Sequence, residues 1–279
     1  MTRFITEHRR SCIAAALLLV MLAGILSLCL AKTTPVWPAT GKKSGKNGGM
    51  TVDYSNCASG YIMVKAPSSK KKLKLRIKKG DEYYNYDISS DDGYVVFPLQ
   101  MGSGSYTVLL YENKSGNKYA QKGKVTFSAK LSSEYAPFLC PSQYVWYTEK
   151  SPAVAKSNEL CEGLKTDAEK LQAIRSYMKS NFVYDYIRSI TQRDAYLADV
   201  DGVFESKTGL CQDFAAIMAC MLRVQGIPTQ MAIGQVTGNL GTISHAWNYV
   251  LIDGKYERVD ITAEISGSNN SQYTVEKTY

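Results

Sequence analysis

Hydrophobic periodicity changes after Pro137 in the body of this 279-residue chain. From residue 51 to that point apolar residues alternate with polar ones in short runs. After it, segments with three- and four-residue spacing appear. The first period marks strands with one buried face, and the second marks amphipathic helices. A chain patterned in this order is predicted to be α+β. Leu73, Leu75 and Ile77 alternate with Lys72, Lys74, Arg76 and Lys78. Similar runs at 61–66, 83–88, 94–98, 106–112 and 119–129 are separated by turn-forming stretches such as Gly102-Ser-Gly-Ser105. This spacing predicts a small all-β sandwich over residues 51–131. Its tyrosines, Tyr83, Tyr84, Tyr86, Tyr94, Tyr106, Tyr111 and Tyr119, are good strand formers. They read as sheet packing, with a carbohydrate platform as the alternative.

Ahead of the strands lies an uncharged run from Cys12 to Ala31, with Arg3, Arg9 and Arg10 before it and Lys32 after. The run is long enough to span the hydrocarbon core as a helix. The flanking charge places the N-terminus inside. Residues 1–31 therefore read as a signal anchor or as a signal peptide cleaved after Cys29-Leu30-Ala31. Lipidation at Cys29 is disfavoured by the bulky Leu28. Every reading exports the rest of the chain. The protein is then single-pass and extracytoplasmic, or secreted if the segment is cleaved. Residues 32–50, rich in Lys, Gly, Pro and Thr, read as a basic flexible linker. The net charge of +8 is uneven: residues 32–80 carry +11 and residues 81–279 carry −5. The basic block is either a solvated face protecting an edge strand or a contact for anionic lipid or wall polymer. A nucleic-acid role is excluded for an exported chain without a recognition motif.

Residues 132–279 read as the mixed domain. Ser151-Pro152 opens a helix that runs to Gly163. Thr166-Asp-Ala-Glu169 is a capping box, and the helix after it carries Leu171, Ile174, Tyr177, Met178 and Phe182 on one stripe. Val183–Ile187 looks extended, and 189–209 looks like a polar loop over a site. A glycine turn, Thr208-Gly-Leu210, then feeds a helix whose first turn holds Cys211. Its stripe is Phe214, Ala215, Met218, Met221 and Leu222, and Gly226-Ile-Pro228 stops it. Unpaired N–H groups at that helix start favour negative charge on sulfur and could hold an oxyanion. Asp213, in the same turn, suits the helix dipole and is assigned no catalytic role. Cys220 points elsewhere on the helix and reads as core.

Two histidines, His8 and His245, exclude a cage of three or four imidazoles. With His8 ahead of the membrane segment, His245 is the one imidazole available outside. Asp253-Gly254 between two alternating runs signals a two-residue hairpin. In that register Trp247 faces Asp260 and His245 faces Thr262, so Asp260 and His245 become diagonal neighbours on one face. Cys211, His245 and Asp260 thus read as nucleophile, base and orienter.

The segments Gly209-Leu-Cys-Gln-Asp-Phe-Ala215, Gly226-Ile-Pro228, Ser244-His-Ala-Trp-Asn248 and Val259-Asp-Ile-Thr262 resemble the transglutaminase-like superfamily, and Asn181–Tyr186 adds to the likeness. The resemblance covers residues 160–262. An exported β domain before such a core is similar to cell-surface members from Gram-positive bacteria. It implies a papain-like Cys-His-Asp core with helices packed on an antiparallel sheet. It also implies acyl transfer from an amide or peptide bond through a thioester. The enzyme would be a protease, an amidase or a transglutaminase acting on a protein or peptide at the cell surface. The alternative is a non-enzymatic surface-binding module built on the same scaffold. A peptidoglycan-directed cysteine amidase is disfavoured, because such enzymes use a second histidine. Candidates for the oxyanion or substrate site are Tyr184, Gln212 and Trp247. No cofactor or metal is implied, and Asp199 and Asp201 read as loop solvation. Cys57, Cys140, Cys161 and Cys220 either pair in one of three ways or stay reduced. Only seventeen residues follow Thr262, so any further strand is expected to be short.

Overall fold

Among the described residues, the first part of the chain forms eight strands, two more than the periodicity predicts. The computed structural model describes residues 37–192, 196–238, 241–268 and 270–279. One antiparallel sheet contains β1 (Ser44–Asn47), β2 (Met50–Asp53), β3 (Tyr61–Lys65) and β6 (Tyr94–Pro98), in the order β1-β2-β3-β6. The other contains β4 (Leu73–Lys79), β5 (Glu82–Ile88), β7 (Gly104–Ser115) and β8 (Lys118–Ala129), in the order β5-β4-β7-β8. The two extra strands, β1 and β2, fall in or overlap the segment expected to be linker. They pair as a hairpin around Gly48-Gly49, so the order of the chain begins before residue 50. The anchor or signal segment 1–31 and His8 lie outside the described residues. Among the described residues no helix is long and apolar enough to cross a membrane.

The alternation of β4 fixes its orientation. Leu73, Leu75 and Ile77 are buried, while Lys74, Arg76 and Lys78 are only partly covered. Burying a side chain such as Leu75 contributes about 1.5–3 kcal/mol. Met50, Val52, Ile62 and Val64 from one sheet join Leu75, Ile77, Tyr86, Val108 and Leu110 from the other in one apolar cluster. The two sheets therefore form a sandwich. Tyr84, Tyr86 and Tyr106 are part of that core. Several cations of the basic block are engaged within the fold: Lys74 pairs with Asp87 at 2.7 Å, and Lys79 donates to the carbonyls of Met101 and Ser103. Lys70, Lys71 and Lys72 remain exposed.

The second part is built around one helix. In chain order its helices are α1 (Pro152–Leu160), α2 (Asp167–Asn181), α3 (Tyr186–Thr191), α4 (Val200–Ser206), α5 (Cys211–Val224) and α6 (Ile261–Ser266). Two two-residue strands, β9 (Val183–Tyr184) and β10 (Thr208–Gly209), pair in parallel just before α5. An antiparallel sheet of β11 (Thr229–Gly238), β12 (Gly241–Ile252), β13 (Lys255–Val259) and β14 (Asn270–Thr278) has the order β13-β12-β11-β14. Helix α5 packs against α1, α2, α4 and α6 and against β11 and β12. Every residue from Asp213 to Val224 is buried. The expected apolar stripe is therefore only part of what α5 covers, because neighbours surround the helix.

Three further expectations are corrected. The segment 183–187 is extended only at Val183–Tyr184, after which α3 begins. The expected loop 189–209 contains part of α3 and all of α4, each opened by an aspartate cap. Asp185 accepts from the Arg188 amide at 2.8 Å, and Asp199 from the Gly202 amide at 3.0 Å. The strand after Thr262 is not short, since β14 spans nine residues.

Strand β14 lies against β11, and Gly234 permits the contact. A Cβ there would sit 2.0 Å from the Thr274 carbonyl oxygen, at a point where the register shifts. Gly234→Ala is expected to force β14 outward and to cost about 1–3 kcal/mol, read as a lower midpoint in urea denaturation.

The sandwich and the helical part meet directly. The Gln143 amide donates to the Asp87 carbonyl at 2.8 Å and accepts from the Asp87 N–H at 3.1 Å. Tyr84 of β5 meets Tyr279 edge-on with centroids 5.6 Å apart. Cys57, Cys140, Cys211 and Cys220 carry free thiols, so none of the three disulfide pairings forms.

Candidate active site

Cys211 begins α5, and the residues around it explain why the chain turns there. Gly209 pairs with Tyr184 on the short parallel ladder. A Cβ at Gly209 would lie 2.7 Å from a Val203 methyl and 3.1 Å from the Asp213 side chain. Only glycine lets the chain pass between α4 and the start of α5. Asp213 folds back over this turn. Its Oδ2 accepts from the Leu210 N–H at 2.9 Å and from the Arg188 guanidinium at 2.9 Å. Asp213 is fully buried, and burial pushes its carboxyl up against the opposing hydrogen bond from Leu210 and charge of Arg188. It is thus a structural clamp on the helix start rather than an exposed partner of the helix dipole. The Arg188 guanidinium also lies 4.5 Å over the Tyr196 ring.

Cys211 is half-buried, and its thiol is in hydrogen-bonding contact with the ring of His245 on β12. On the other side of the ring, His245 Nε2 lies 2.9 Å from Asp260 Oδ2. The hairpin has the register expected from Asp253-Gly254, with Ile252 opposite Lys255. Pairing ends at Asn248 and Val259, however. Asp260 therefore does not face Trp247, and Thr262 does not face His245. Asp260 instead caps α6, with Oδ1 accepting from the Ala263 N–H at 3.0 Å. The cap turns the carboxylate toward His245, so the expected pair forms by a different route. Both residues are nearly withdrawn from solvent.

Burial disfavours the imidazolium, but hydrogen bonds to Asp260 and Cys211 and their charges outweigh it. Together they raise the His245 pKa from 6.5 to about 9. A histidine held this way is protonated at neutral pH, with Nε2–H donating to Asp260. The raised value stabilises the fold below about pH 6.5, and the contribution is lost as pH rises through about 9. Asp260→Asn keeps the helix cap but removes the negative charge. The stability gap between wild type and this variant is therefore expected to be widest near pH 6 and to close above about pH 9. Denaturation midpoints at the two pH values measure it.

The other predicted site residues divide. Tyr184 is half-buried near Cys211; burial first, then the charge on Cys211, pushes its phenol up. Gln212 is committed elsewhere, donating to the Tyr196 carbonyl at 2.5 Å. Trp247 is fully buried, so it cannot wall a site. It packs with Ala232 and Val236, and its ring lies nearly parallel to that of His245 at 6.2 Å. Asp199 is the α4 cap, and Asp201 accepts from Ser151 Oγ at 3.1 Å. Cys220 is buried in the core, and burial pushes its thiol up. Among the described residues no cluster of three or more His, Cys, Asp or Glu side chains could hold a metal ion.

Sequence reasoning missed Arg188, Tyr196 and Tyr273. The first two hold the start of α5 through Asp213 and Gln212. The hydroxyl of Tyr273, on β14, donates to Asp260 Oδ2 at 2.8 Å. Beside the site, Val183, Tyr186, Ile187 and Ile190 are exposed. A cleft of about 510 Å³ opens next to Gln212, with Tyr144, Tyr196, Leu197, Lys277 and Tyr279 among its walls.

Residues 154–261 match the family model for the core of the transglutaminase-like superfamily. Cys211, His245 and Asp260 all lie inside the match. No curated protein matches the sequence. Similar solved structures include a candidate cysteine protease from Cytophaga hutchinsonii, at 15% identity over 75% of this chain and 82% of that one, with a TM-score of 0.40. The periplasmic domain of TgpA from Pseudomonas aeruginosa, bound to ethylmercury, is 13% identical over 72% of this chain and 92% of that one, with a TM-score of 0.39. Red sea bream transglutaminase is 12% identical over 72% of this chain and 48% of that one, with a TM-score of 0.30. The segment 154–261, which holds Cys211, His245 and Asp260, is thus similar to the core of the transglutaminase-like superfamily.

Proposed function

We propose that the protein is a thiol-dependent acyl-transfer enzyme acting on amide or peptide bonds, with Cys211 as nucleophile. The observation that carries this reading is the contact from Cys211 through the His245 ring to Asp260, whose Oδ2 lies 2.9 Å from His245 Nε2. The Cys211 thiolate attacks the amide carbonyl, and the carbonyl electrons move onto oxygen. The N–H of Cys211, free at the helix start, lies where it can stabilise that oxyanion, and Tyr184 is the second donor proposed. As the tetrahedral adduct collapses, the imidazolium gives its proton to the leaving nitrogen, so ammonia or an amine departs and a thioester remains. Water or a second amine, deprotonated by the now neutral His245, resolves the thioester. Asp260 holds the ring orientation throughout.

The exposed apolar side chains at Val183, Tyr186, Ile187 and Ile190 suit apolar residues flanking the reactive amide. In this reading the uncharged segment 12–31 exports the body and leaves it anchored, or secreted after cleavage. The substrates are proteins or peptides at the cell surface, and the exposed lysines 70–72 face anionic wall polymer or lipid.

The test is incubation of the protein with a glutamine-containing peptide, with and without a primary amine, followed by product mass. Deamidation or chain cleavage without amine, or an amine adduct with it, is expected, and either must vanish in Cys211→Ala. A panel of peptides returned unchanged, with no Cys211-dependent acyl adduct on the protein, would support the binding-module reading instead.

A further inference from the structure

We infer that Tyr273 is a positioning residue for the reaction, acting on His245 through Asp260; this rests on the proposed catalytic reading. The geometry is specific. Asp260 Oδ2 accepts at once from Tyr273 Oη at 2.8 Å and lies 2.9 Å from His245 Nε2, while Oδ1 accepts from the Ala263 N–H at 3.0 Å. The carboxylate is thus held from three directions. The α6 cap fixes one oxygen, and the phenol and the imidazole share the other.

Tyr273 is itself held. Its ring meets Trp247 edge-on at 5.1 Å, and the Arg258 guanidinium lies 3.9 Å over its face. A cation over the ring draws electron density from the phenol and strengthens the O–H as a donor. Trp247 in turn lies nearly parallel to His245. Tyr273, Trp247 and His245 therefore form one packed row, and β14 carries the row across the sheet to the strand bearing the histidine. The Gly234 contact that seats β14 keeps Tyr273 within reach.

Two physical effects follow. The phenol restricts rotation of the carboxylate about its Cβ–Cγ bond, so Oδ2 stays aimed at Nε2. A second hydrogen bond to the same oxygen also takes up part of its negative charge, so the carboxylate holds the imidazolium less tightly. Tyr273 thereby keeps His245 acidic enough to release its proton to the leaving group. The charged and titratable groups about this centre are Cys211 from α5, His245 from β12, Arg258 from β13, Asp260 at the α6 cap and Tyr273 from β14.

The test is an NMR titration of the His245 ring in wild type, Tyr273→Phe and Asp260→Asn, with thermal melting alongside. Phenylalanine keeps the ring between Trp247 and Arg258 and removes only the donor. The His245 titration is expected to move up by about half to one pH unit in Tyr273→Phe. The alkaline limb of acyl transfer should move with it. In Asp260→Asn the titration is expected to move down. A merely structural role for Tyr273 would lower the melting temperature and leave the titration in place, and that result, or a downward shift, would overturn the inference. If Asp260→Asn also left the titration at its wild-type position, the catalytic reading itself would fail.

Discussion

Cys211→Ala is expected to lose essentially all acyl-transfer activity, a drop of at least about a thousandfold, while melting like the wild type. The side chain is small and only half-buried, and alanine is a strong helix former at the first turn of α5. The fold around it is held by Asp213, Arg188 and Gly209, none of which the substitution touches. Cys211→Ser should fall almost as far, because a hydroxyl is far harder to ionise than a thiol and the imidazolium is poised to donate rather than accept. Product formation by mass spectrometry, set against melting temperature, separates lost chemistry from lost structure. Retained turnover in Cys211→Ala would assign the reaction to some other nucleophile.

The second large effect is on stability. Arg223→Met is expected to destabilise the protein by about 3–5 kcal/mol, although it lies on the far part of α5 from the nucleophile. Arg223 is almost fully buried. Its guanidinium donates to the Thr229 carbonyl at 3.0 and 2.8 Å, to the Cys140 carbonyl at 2.6 Å and to the Tyr279 backbone oxygen at 2.7 Å. One side chain thus ties α5 to the start of β11, to the segment after the sandwich and to the residue following β14. Methionine fills much of the volume but leaves these carbonyls without their donor. Urea denaturation measures the loss. Catalysis per folded molecule should change little, because none of these contacts reaches Cys211. A wild-type midpoint in Arg223→Met would mean that the carbonyl cluster is satisfied without the charge.

The sequence disclosed most where the signal was local. The alternation around Leu75 places β4, and Asp253-Gly254 sets the β12–β13 register. Thr208-Gly-Leu-Cys211 is legible as a turn into a helix because each step depends on near neighbours. Gly48-Gly49 was an equally local hairpin signal, but the lysines around it read as linker. Asp260 shows a subtler failure. Strand geometry alone makes it a diagonal neighbour of His245, whereas the chain leaves the strand at Val259 and α6 begins. An aspartate followed by Ile261 and Ile265 at helical spacing was the available cue to a cap. Trp247 lies in the motif but faces the packing cluster, a distinction that only the tertiary fold makes. Arg188 and Tyr273 had no local signal, since one reaches Asp213 from α3 and the other reaches Asp260 from an edge strand on the opposite side of the sheet.

The central claim is that His245, held by Asp260, makes Cys211 a reactive thiol. Labelling of Cys211 by iodoacetamide at about pH 6, where an ordinary thiol is almost entirely protonated, tests it without knowledge of the substrate. Located by peptide mass, the label should appear rapidly on wild-type Cys211, far more slowly in His245→Ala, and at an intermediate rate in Asp260→Asn. Equal labelling rates in the wild type and His245→Ala would contradict it.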